Sequence, residues 1–148
     1  NREDIFKNKI RVNVIGRLNM FPKGIRKAIL DIMEKTKKHK NFIVNFAMAY
    51  GGRQEITDAV NKIIKDIKSN KINSKKINEN TITSYLYLKS EPDIVIRPGG
   101  EKRMSNFLLW QSCYSELFFT DKLWPEFTKE DLIKCIEEFN KRERRFGT

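Results

Sequence analysis

The chain has 148 residues, an apolar share of 39% and a formal net charge of +11, which fits one globular domain. Its apolar runs fall short of the roughly 20 residues that a membrane-spanning helix needs, and residues 1–4 lead into no secretory h-region. Cys113 and Cys135 have neither metal-site spacing nor a disulfide framework, so we expect a cytoplasmic protein with reduced thiols.

The excess of positive charge is open to several explanations. Nucleic acid, anionic lipid and phosphorylated substrates are all partners that a basic protein attracts. The Lys-rich stretch over 62–76 has no aromatic residues among its lysines, although a surface for single-stranded nucleic acid would need them. A solvated helix face followed by a loop is the simpler interpretation, so we expect no nucleic-acid partner.

The first half of the chain is predicted to alternate strands and helices. Alternating β-branched residues predict a strand over 9–15, and apolar residues at helical spacing predict a helix around 25–33. The almost continuously apolar run over 42–48 is typical of a strand covered on both faces. A glycine turn over 50–53 then leads into an amphipathic helix over 56–67.

The second half begins with a polar loop over 70–80 and a short helix over 82–88. Strands are predicted over 93–97 and 116–120, and an apolar helical turn over 106–111 lies between them.

Thr128 is placed to cap a last helix. Its inward face is expected to carry Leu132, Ile133, Ile136 and Phe139. Strands that alternate with helices predict an α/β fold, with a mostly parallel sheet flanked by helices, in a single domain over 1–148.

A loop dense in glycine and charge follows the strand over 93–97. Ligands of parallel sheets bind beyond the carboxyl ends of strands, so this loop is a candidate anion site. Arg97 and Arg103 can each hold phosphate oxygens through two parallel bonds. Gly99 and Gly100 let backbone N–H groups approach a ligand, and Ser105 adds a hydroxyl at an expected helix start.

A tight turn in which Glu101 pairs with Arg97 or Lys102 explains the same loop equally well.

Glu116 is more unusual, because it interrupts the apolar segment 114–119. A carboxylate there must be paired, bind a metal or lie at an exposed strand end. A hard cation that bridges it to a diphosphate would suit it, and an ion pair with an arginine is the alternative.

Several motifs in this chain resemble those of cis-prenyltransferases, the undecaprenyl diphosphate synthase family. Residues 97–111 (RPGGEKRMSNFLLWQ), 114–121 (YSELFFTD) and 123–125 (LWP) closely resemble the family's C-terminal signature. Residues 49–53 (AYGGR) resemble its glycine motif, and residues 142–147 (RERRFG) resemble its C-terminal end. The motifs stand in the family's order over nearly the whole chain.

The resemblance implies an enzyme that uses Mg²⁺ to condense isopentenyl diphosphate with an allylic diphosphate, usually farnesyl diphosphate or a longer one. The product would be a cis-polyprenyl diphosphate of the undecaprenyl or dehydrodolichyl (dolichol) type. A homodimer and peripheral contact with a membrane are implied as well. The matching positions are Arg97, Arg103 and Ser105 for isopentenyl diphosphate, Glu116 for Mg²⁺, and Arg145 and Gly147 for a diphosphate across the dimer interface.

This sequence departs from the family pattern in places. Pro98 stands where the family more often has Thr or Ser, and Ala49 stands where Asn is common. The family's Asp-Gly-Asn-Gly-Arg-Trp loop, which supplies the catalytic aspartate, is not in this sequence. We therefore expect an incomplete cis-prenyltransferase domain that has no catalytic aspartate and is inactive alone.

Two other functions compete with that of an enzyme. A non-catalytic subunit of a cis-prenyltransferase complex would share the fold, but it need not keep Arg97, Arg103, Ser105 and Glu116. A basic nucleic-acid-binding module would need aromatic residues among its lysines.

Overall fold

The computed structural model describes residues 2–143, and the chain divides between Leu88 and Lys89 into two compact units. Whether these units act as the single domain predicted over 1–148 stays a prediction. None of the helices in residues 2–143 combines the length and apolar character that a membrane span requires.

The first unit contains one two-stranded parallel sheet and four helices. In chain order the elements are α1 (Arg2–Lys7), β1 (Ile10–Ile15), α2 (Lys23–Thr36), β2 (Phe42–Ala47), α3 (Gly52–Lys68) and α4 (Glu79–Tyr85). The two strands pair in register, with Ile10 opposite Phe42 and Ile15 opposite Ala47.

The core of the first unit lies beside β1. Val12, Val14 and Ile15 are buried there. Thr36, at the end of α2, is fully buried, and its hydroxyl accepts a hydrogen bond from the Val12 N–H at 3.1 Å. The same hydroxyl donates to the Ile32 carbonyl at 2.8 Å. One side chain therefore fastens α2 to β1.

Strand β2 is less buried than its sequence predicts. All six of its residues are exposed in the structure, and Phe42 and Phe46 have exposed fractions of 62% and 52%. Within the described chain β2 pairs only with β1, so it forms an edge of its sheet. The expectation of cover on both faces is therefore not met by residues 2–143.

Gly16 is required where β1 ends. Its φ of 118° lies in the left-handed region, and a Cβ there would be 2.0 Å from the Met48 carbonyl oxygen. The next N–H, from Arg17, donates to the Ala49 carbonyl at 3.2 Å. This close approach brings Arg17 next to the turn that precedes α3.

An ion pair joins the segment after β1 to α3. The Arg17 guanidinium donates to both carboxylate oxygens of Asp58, at 2.7 and 3.1 Å, and the Tyr87 hydroxyl donates to the same carboxylate. These hydrogen bonds, with Arg17 the largest cause, lower the pKa of Asp58 to about 2. Burial, followed by the bond to Asp58, raises the pKa of Tyr87 to about 12.

Glu55 makes a second buried polar contact on α3. Its carboxylate, 1% exposed, accepts hydrogen bonds from the backbone N–H groups of Tyr87 (2.7 Å) and Leu88 (3.1 Å). The Tyr50 hydroxyl donates to it as well. A buried carboxylate is tolerated when its oxygens are bonded in this way, so Glu55 holds the glycine turn against the segment after α4.

The second unit is a smaller strand–strand–helix arrangement. It contains β3 (Ile94–Pro98), β4 (Glu116–Thr120) and α5 (Lys129–Phe139). The strands are parallel, with Ile94 opposite Glu116 and Pro98 opposite Thr120. Thr128 caps α5 through a capping box with Asp131, as the sequence predicts.

The predicted inward face of α5 is only half-buried. Leu132, Ile133 and Ile136 are each about two-fifths exposed within the described chain. The helix follows the predicted spacing, but residues 2–143 do not cover its apolar face.

The predicted α/β class with parallel strands flanked by helices is confirmed. The described strands form two parallel pairs, one in each unit, rather than a single sheet. Residues 106–111 form turns instead of a helical turn, because Asn106 and Leu108 have φ values of 66° and 44°. Helix α4 starts at Glu79, inside the predicted loop, because Asn78 caps it.

Replacing Asp58 with Asn is expected to reduce the loss of stability in acid. The folded-state pKa of about 2 lies below the ordinary value of 3.8, so the carboxylate stabilises the fold fully above that ordinary value. This contribution is lost as the pH falls through the folded-state pKa. Thermal unfolding midpoints measured across this pH range should therefore fall less steeply for Asp58→Asn than for the parent protein.

Asp31→Asn is the matched control, because Asp31 pairs with Lys35 on an exposed helix surface. If Asp58→Asn and Asp31→Asn give the same acid profile, the Arg17–Asp58 pair does not stabilise the fold.

Candidate functional site

The glycine loop after β3 is closed by its own backbone. Gly99 and Gly100 have φ values of 103° and 76°, which favour glycine. The Gly99 N–H donates to the carbonyls of Thr120 (3.0 Å) and Lys122 (2.8 Å), and the Gly100 N–H donates to Thr120 at 2.9 Å. The expectation that these N–H groups face a ligand is therefore wrong. Neither glycine N–H is available to an anion, so the arginine side chains are the candidate donors.

Arg97 is the side chain that the structure leaves in need of an acceptor. It lies on β3 one residue before Pro98, opposite Phe119, and it lines a cavity of about 360 Å³. Its Nε is buried and has no hydrogen-bond partner among the described residues. A buried donor without a partner costs about 1–3 kcal/mol, and more when it is charged, so an anionic ligand would offset this cost.

The remaining walls of this cavity are largely apolar. Val95, Met104, Phe107 and Trp124 contribute to them. The Trp124 ring is stacked on Phe127, with the ring centroids 6.1 Å apart. One cation among apolar walls suits a ligand that has an anionic head and a hydrocarbon end.

Arg103 and Ser105 lie outside the set that lines this cavity. Arg103 pairs with Glu101, and the two side chains are 63% and 48% exposed. Such exposed pairs contribute about 0–1 kcal/mol, so a diphosphate could replace Glu101 at little cost. Ser105 has a φ of 46° and lies in a turn, so the predicted helix start at this residue is wrong.

Glu116 lies at the other end of the strand pair from Arg97. It is the first residue of β4, opposite Ile94, and three positions separate it from Phe119, the partner of Arg97. That spacing corresponds to about 10 Å along the strands. The Glu116 carboxylate accepts a hydrogen bond from Nη1 of Arg142 at 2.7 Å. The described structure therefore brings Glu116 to the end of α5 and not to Arg97.

Arg142 is the residue of this region whose contacts sequence reasoning missed. Its guanidinium carbon lies 4.2 Å from the centroid of the Phe118 ring, and its nitrogens also contact Glu138. The bonds to Glu116 and then to Glu138 raise its pKa. The RERRFG motif marked this arginine in the sequence, but nothing local identified its partners. Arg145 and Gly147 of the same motif lie outside the described residues.

The metal-binding side chains of residues 2–143 do not form a complete Mg²⁺ site by themselves. No group of three Asp, Glu, His or Cys side chains suitable for a metal occurs in residues 2–143. The Glu116 carboxylate is bonded to Arg142, and Mg²⁺ is commonly held by one or two carboxylates together with substrate phosphates and water. Residues 2–143 therefore contain no preformed metal cage, and a metal here would need phosphate oxygens as further ligands.

Comparison with known proteins gives one consistent family. The profile described as "Putative undecaprenyl diphosphate synthase" matches residues 1–147. A Pyrococcus horikoshii tritrans,polycis-undecaprenyl-diphosphate synthase (geranylgeranyl-diphosphate specific) is 53% identical over 140 residues, which cover 93% of this chain and 53% of that protein. The Thermococcus kodakarensis protein of the same name is 51% identical over 147 residues, which cover 98% of this chain and 56% of that protein. The chain thus spans about half the length of these relatives.

Solved structures agree with the sequence comparison. The crystal structure of a probable undecaprenyl diphosphate synthase from Campylobacter jejuni matches with a TM-score of 0.88 and 38% identity, over 99% of this chain and 67% of that one. Lavandulyl diphosphate synthase from Lavandula x intermedia, in complex with dimethylallyl diphosphate, matches with a TM-score of 0.94 and 32% identity. The match covers 99% of this chain and 64% of that one. Together with the match over residues 1–147, these likenesses show that the chain belongs to the undecaprenyl diphosphate synthase family of cis-prenyltransferases.

Proposed function

We propose that this protein takes part in condensing isopentenyl diphosphate with an allylic diphosphate to form a cis-polyprenyl diphosphate. The observation that carries the proposal is Arg97, which lines a cavity with largely apolar walls and whose buried Nε has no hydrogen-bond partner within residues 2–143. In this reaction a carbon–carbon bond forms, the diphosphate group of the allylic substrate leaves with the electrons of the broken C–O bond, and a proton is lost from the isopentenyl unit. Tight positioning of both substrates supplies much of the rate.

Isopentenyl diphosphate is the substrate that we assign to the Arg97 cavity. Its diphosphate would accept from the Arg97 guanidinium, and its five-carbon end would lie against Val95, Met104 and Phe107. Arg103 would exchange Glu101 for a diphosphate oxygen, because its present ion pair is exposed. Ser105, Arg145 and Gly147 are proposed to add further diphosphate contacts.

Mg²⁺ is the proposed cofactor, and Glu116 is the residue that would hold it. When bound, Mg²⁺ neutralises negative charge on a diphosphate. The Glu116 carboxylate accepts the hydrogen bond from Arg142 through its Oε2, at the start of β4.

Replacing Arg97 with Met should weaken binding of isopentenyl diphosphate without lowering stability. Loss of a charge-assisted bond of about 1.5–3 kcal/mol corresponds to a fall in affinity of about 10- to 100-fold. The thermal midpoint should hold or rise, because the variant removes a buried Nε that has no hydrogen-bond partner among the described residues. Arg103→Lys should be nearly as harmful as Arg103→Ala, because Lys cannot form two parallel bonds.

Calorimetric titration of the full-length protein with isopentenyl diphosphate measures these affinities. Lys134→Ala, which removes an exposed lysine of α5, is the control for a general loss of positive charge. Unchanged affinity together with lower thermal stability in Arg97→Met and Arg103→Ala would mean that these arginines only support the fold.

We propose geranylgeranyl diphosphate as the preferred allylic substrate, since the names of the archaeal relatives specify it. With full-length protein and Mg²⁺, kcat/KM should be higher for geranylgeranyl than for farnesyl diphosphate. A preference for farnesyl diphosphate would contradict this assignment. Binding of isopentenyl diphosphate without turnover of either primer would favour a non-catalytic subunit.

We also propose a homodimer that buries the open apolar face of α5. Leu132, Ile133 and Ile136 leave a continuous apolar stripe exposed, and Phe107, Leu117 and Phe119 expose further apolar surface in the same unit. Sedimentation of the full-length protein should show a dimer at micromolar concentration, and Ile136→Lys should weaken it. Lys134→Ala should leave it unchanged, and a monomeric parent protein would refute the proposal.

A further inference from the structure

The rim of the Arg97 cavity carries an aromatic side chain that is held in place. Trp124 lines this cavity and is 72% exposed, so its ring lies at the opening rather than in the floor. The ring stacks on Phe127, with an angle of 3° between the two ring planes. Stacking is a favoured arrangement of aromatic pairs, so the indole keeps its orientation before a ligand arrives.

The glycine loop also fixes the backbone that carries Trp124. The Lys122 carbonyl, two residues earlier, accepts the Gly99 N–H at 2.8 Å. At the next residue, the Leu123 N–H donates to the Glu126 carboxylate at 2.9 Å, and the Leu123 carbonyl accepts the Glu126 N–H at 2.9 Å. The Gly99 N–H that is not available to an anion therefore helps to place the indole beside the same cavity.

Arg97 by itself gives this cavity little selectivity among diphosphates. The proposed reaction releases inorganic diphosphate, which offers a guanidinium the same kind of oxygens as isopentenyl diphosphate does. The two molecules differ in the five-carbon end, so an apolar contact is needed to favour the substrate over the released product. Trp124 is the largest apolar side chain among the residues that line the cavity.

We propose that Trp124 makes the Arg97 cavity select isopentenyl diphosphate over inorganic diphosphate. The five-carbon end covers part of the exposed indole, and the apolar area removed from water favours binding of the substrate. Inorganic diphosphate contacts Arg97 in the same way but gains nothing from the ring. This inference rests on the proposed function and adds to it a specificity-determining residue that acts without charge.

The test is calorimetric titration of the full-length protein with isopentenyl diphosphate and, separately, with inorganic diphosphate in the same buffer. The ratio of the two affinities reports on the hydrocarbon contact, because both ligands share the contacts to the diphosphate. We expect Trp124→Ala to lower this ratio about tenfold, by weakening isopentenyl diphosphate alone. Arg97→Met should weaken both ligands and change the ratio much less.

Leu123→Ala is the matched control. Leu123 precedes Trp124, is 58% exposed and lies outside the set that lines the cavity, so its ratio should equal that of the parent protein. Trp124→Phe keeps an apolar ring and should retain most of the selectivity. If Trp124→Ala does not fold, Trp124→His provides a second variant, because it keeps a planar ring for Phe127 but presents polar nitrogens to the ligand. It should also lower the ratio.

The possible results lead to distinct conclusions. A parent-like ratio in folded Trp124→Ala or Trp124→His would show that Trp124 only packs on Phe127, and the inference would be overturned. An equal fall in Leu123→Ala would overturn it too, because the effect would then come from the segment rather than from the indole. Unchanged affinity for both ligands in Arg97→Met contradicts the proposed diphosphate site, whereas the ratio in the Trp124 variants tests the indole separately. A parent protein that binds neither ligand contradicts both proposals.

Discussion

The parallel pairing of β3 with β4 is the constraint on which the candidate site depends. It places Pro98 opposite Thr120, and the loop that follows gives its N–H groups to the carbonyls of Thr120 and Lys122. Backbone donors used in this way are not available to a ligand. The two glycine N–H groups therefore do not serve an anion, and Arg97 is the cation that lines the cavity.

Buried polar side chains serve different purposes in the two units. Glu55 of the first unit is 1% exposed, and its oxygens are bonded to two backbone N–H groups and the Tyr50 hydroxyl. Arg97 has a buried nitrogen that the described chain leaves without an acceptor. A buried carboxylate is tolerated when its oxygens are bonded, whereas a buried N–H without an acceptor destabilises the fold until an acceptor binds. This contrast separates structural polar groups from those suited to binding.

Charged side chains near the candidate site also differ in how firmly they are held. The pair of Arg103 and Glu101 is exposed on both sides, so it can open when a stronger acceptor arrives. Arg142 is fixed by an aromatic ring and two carboxylates. An adaptable arginine suits direct contact with a substrate that binds and leaves. A fixed arginine suits a structural contact, here between β4 and α5.

The sequence by itself determined the strands of this protein, the positions of α2, α3 and α5, and its family. Apolar periodicity located the strands to within a residue, and Thr128 with Asp131 marked the start of α5, because both signals depend on neighbours along the chain. Only the tertiary structure decided that Glu116 pairs with Arg142, that the glycine N–H groups bond to β4 and its following loop, and that Arg97 Nε stays without a partner. With 30 lysines and arginines in the chain, local pattern cannot select the partner of one carboxylate, since that choice depends on strand register and on the path of α5.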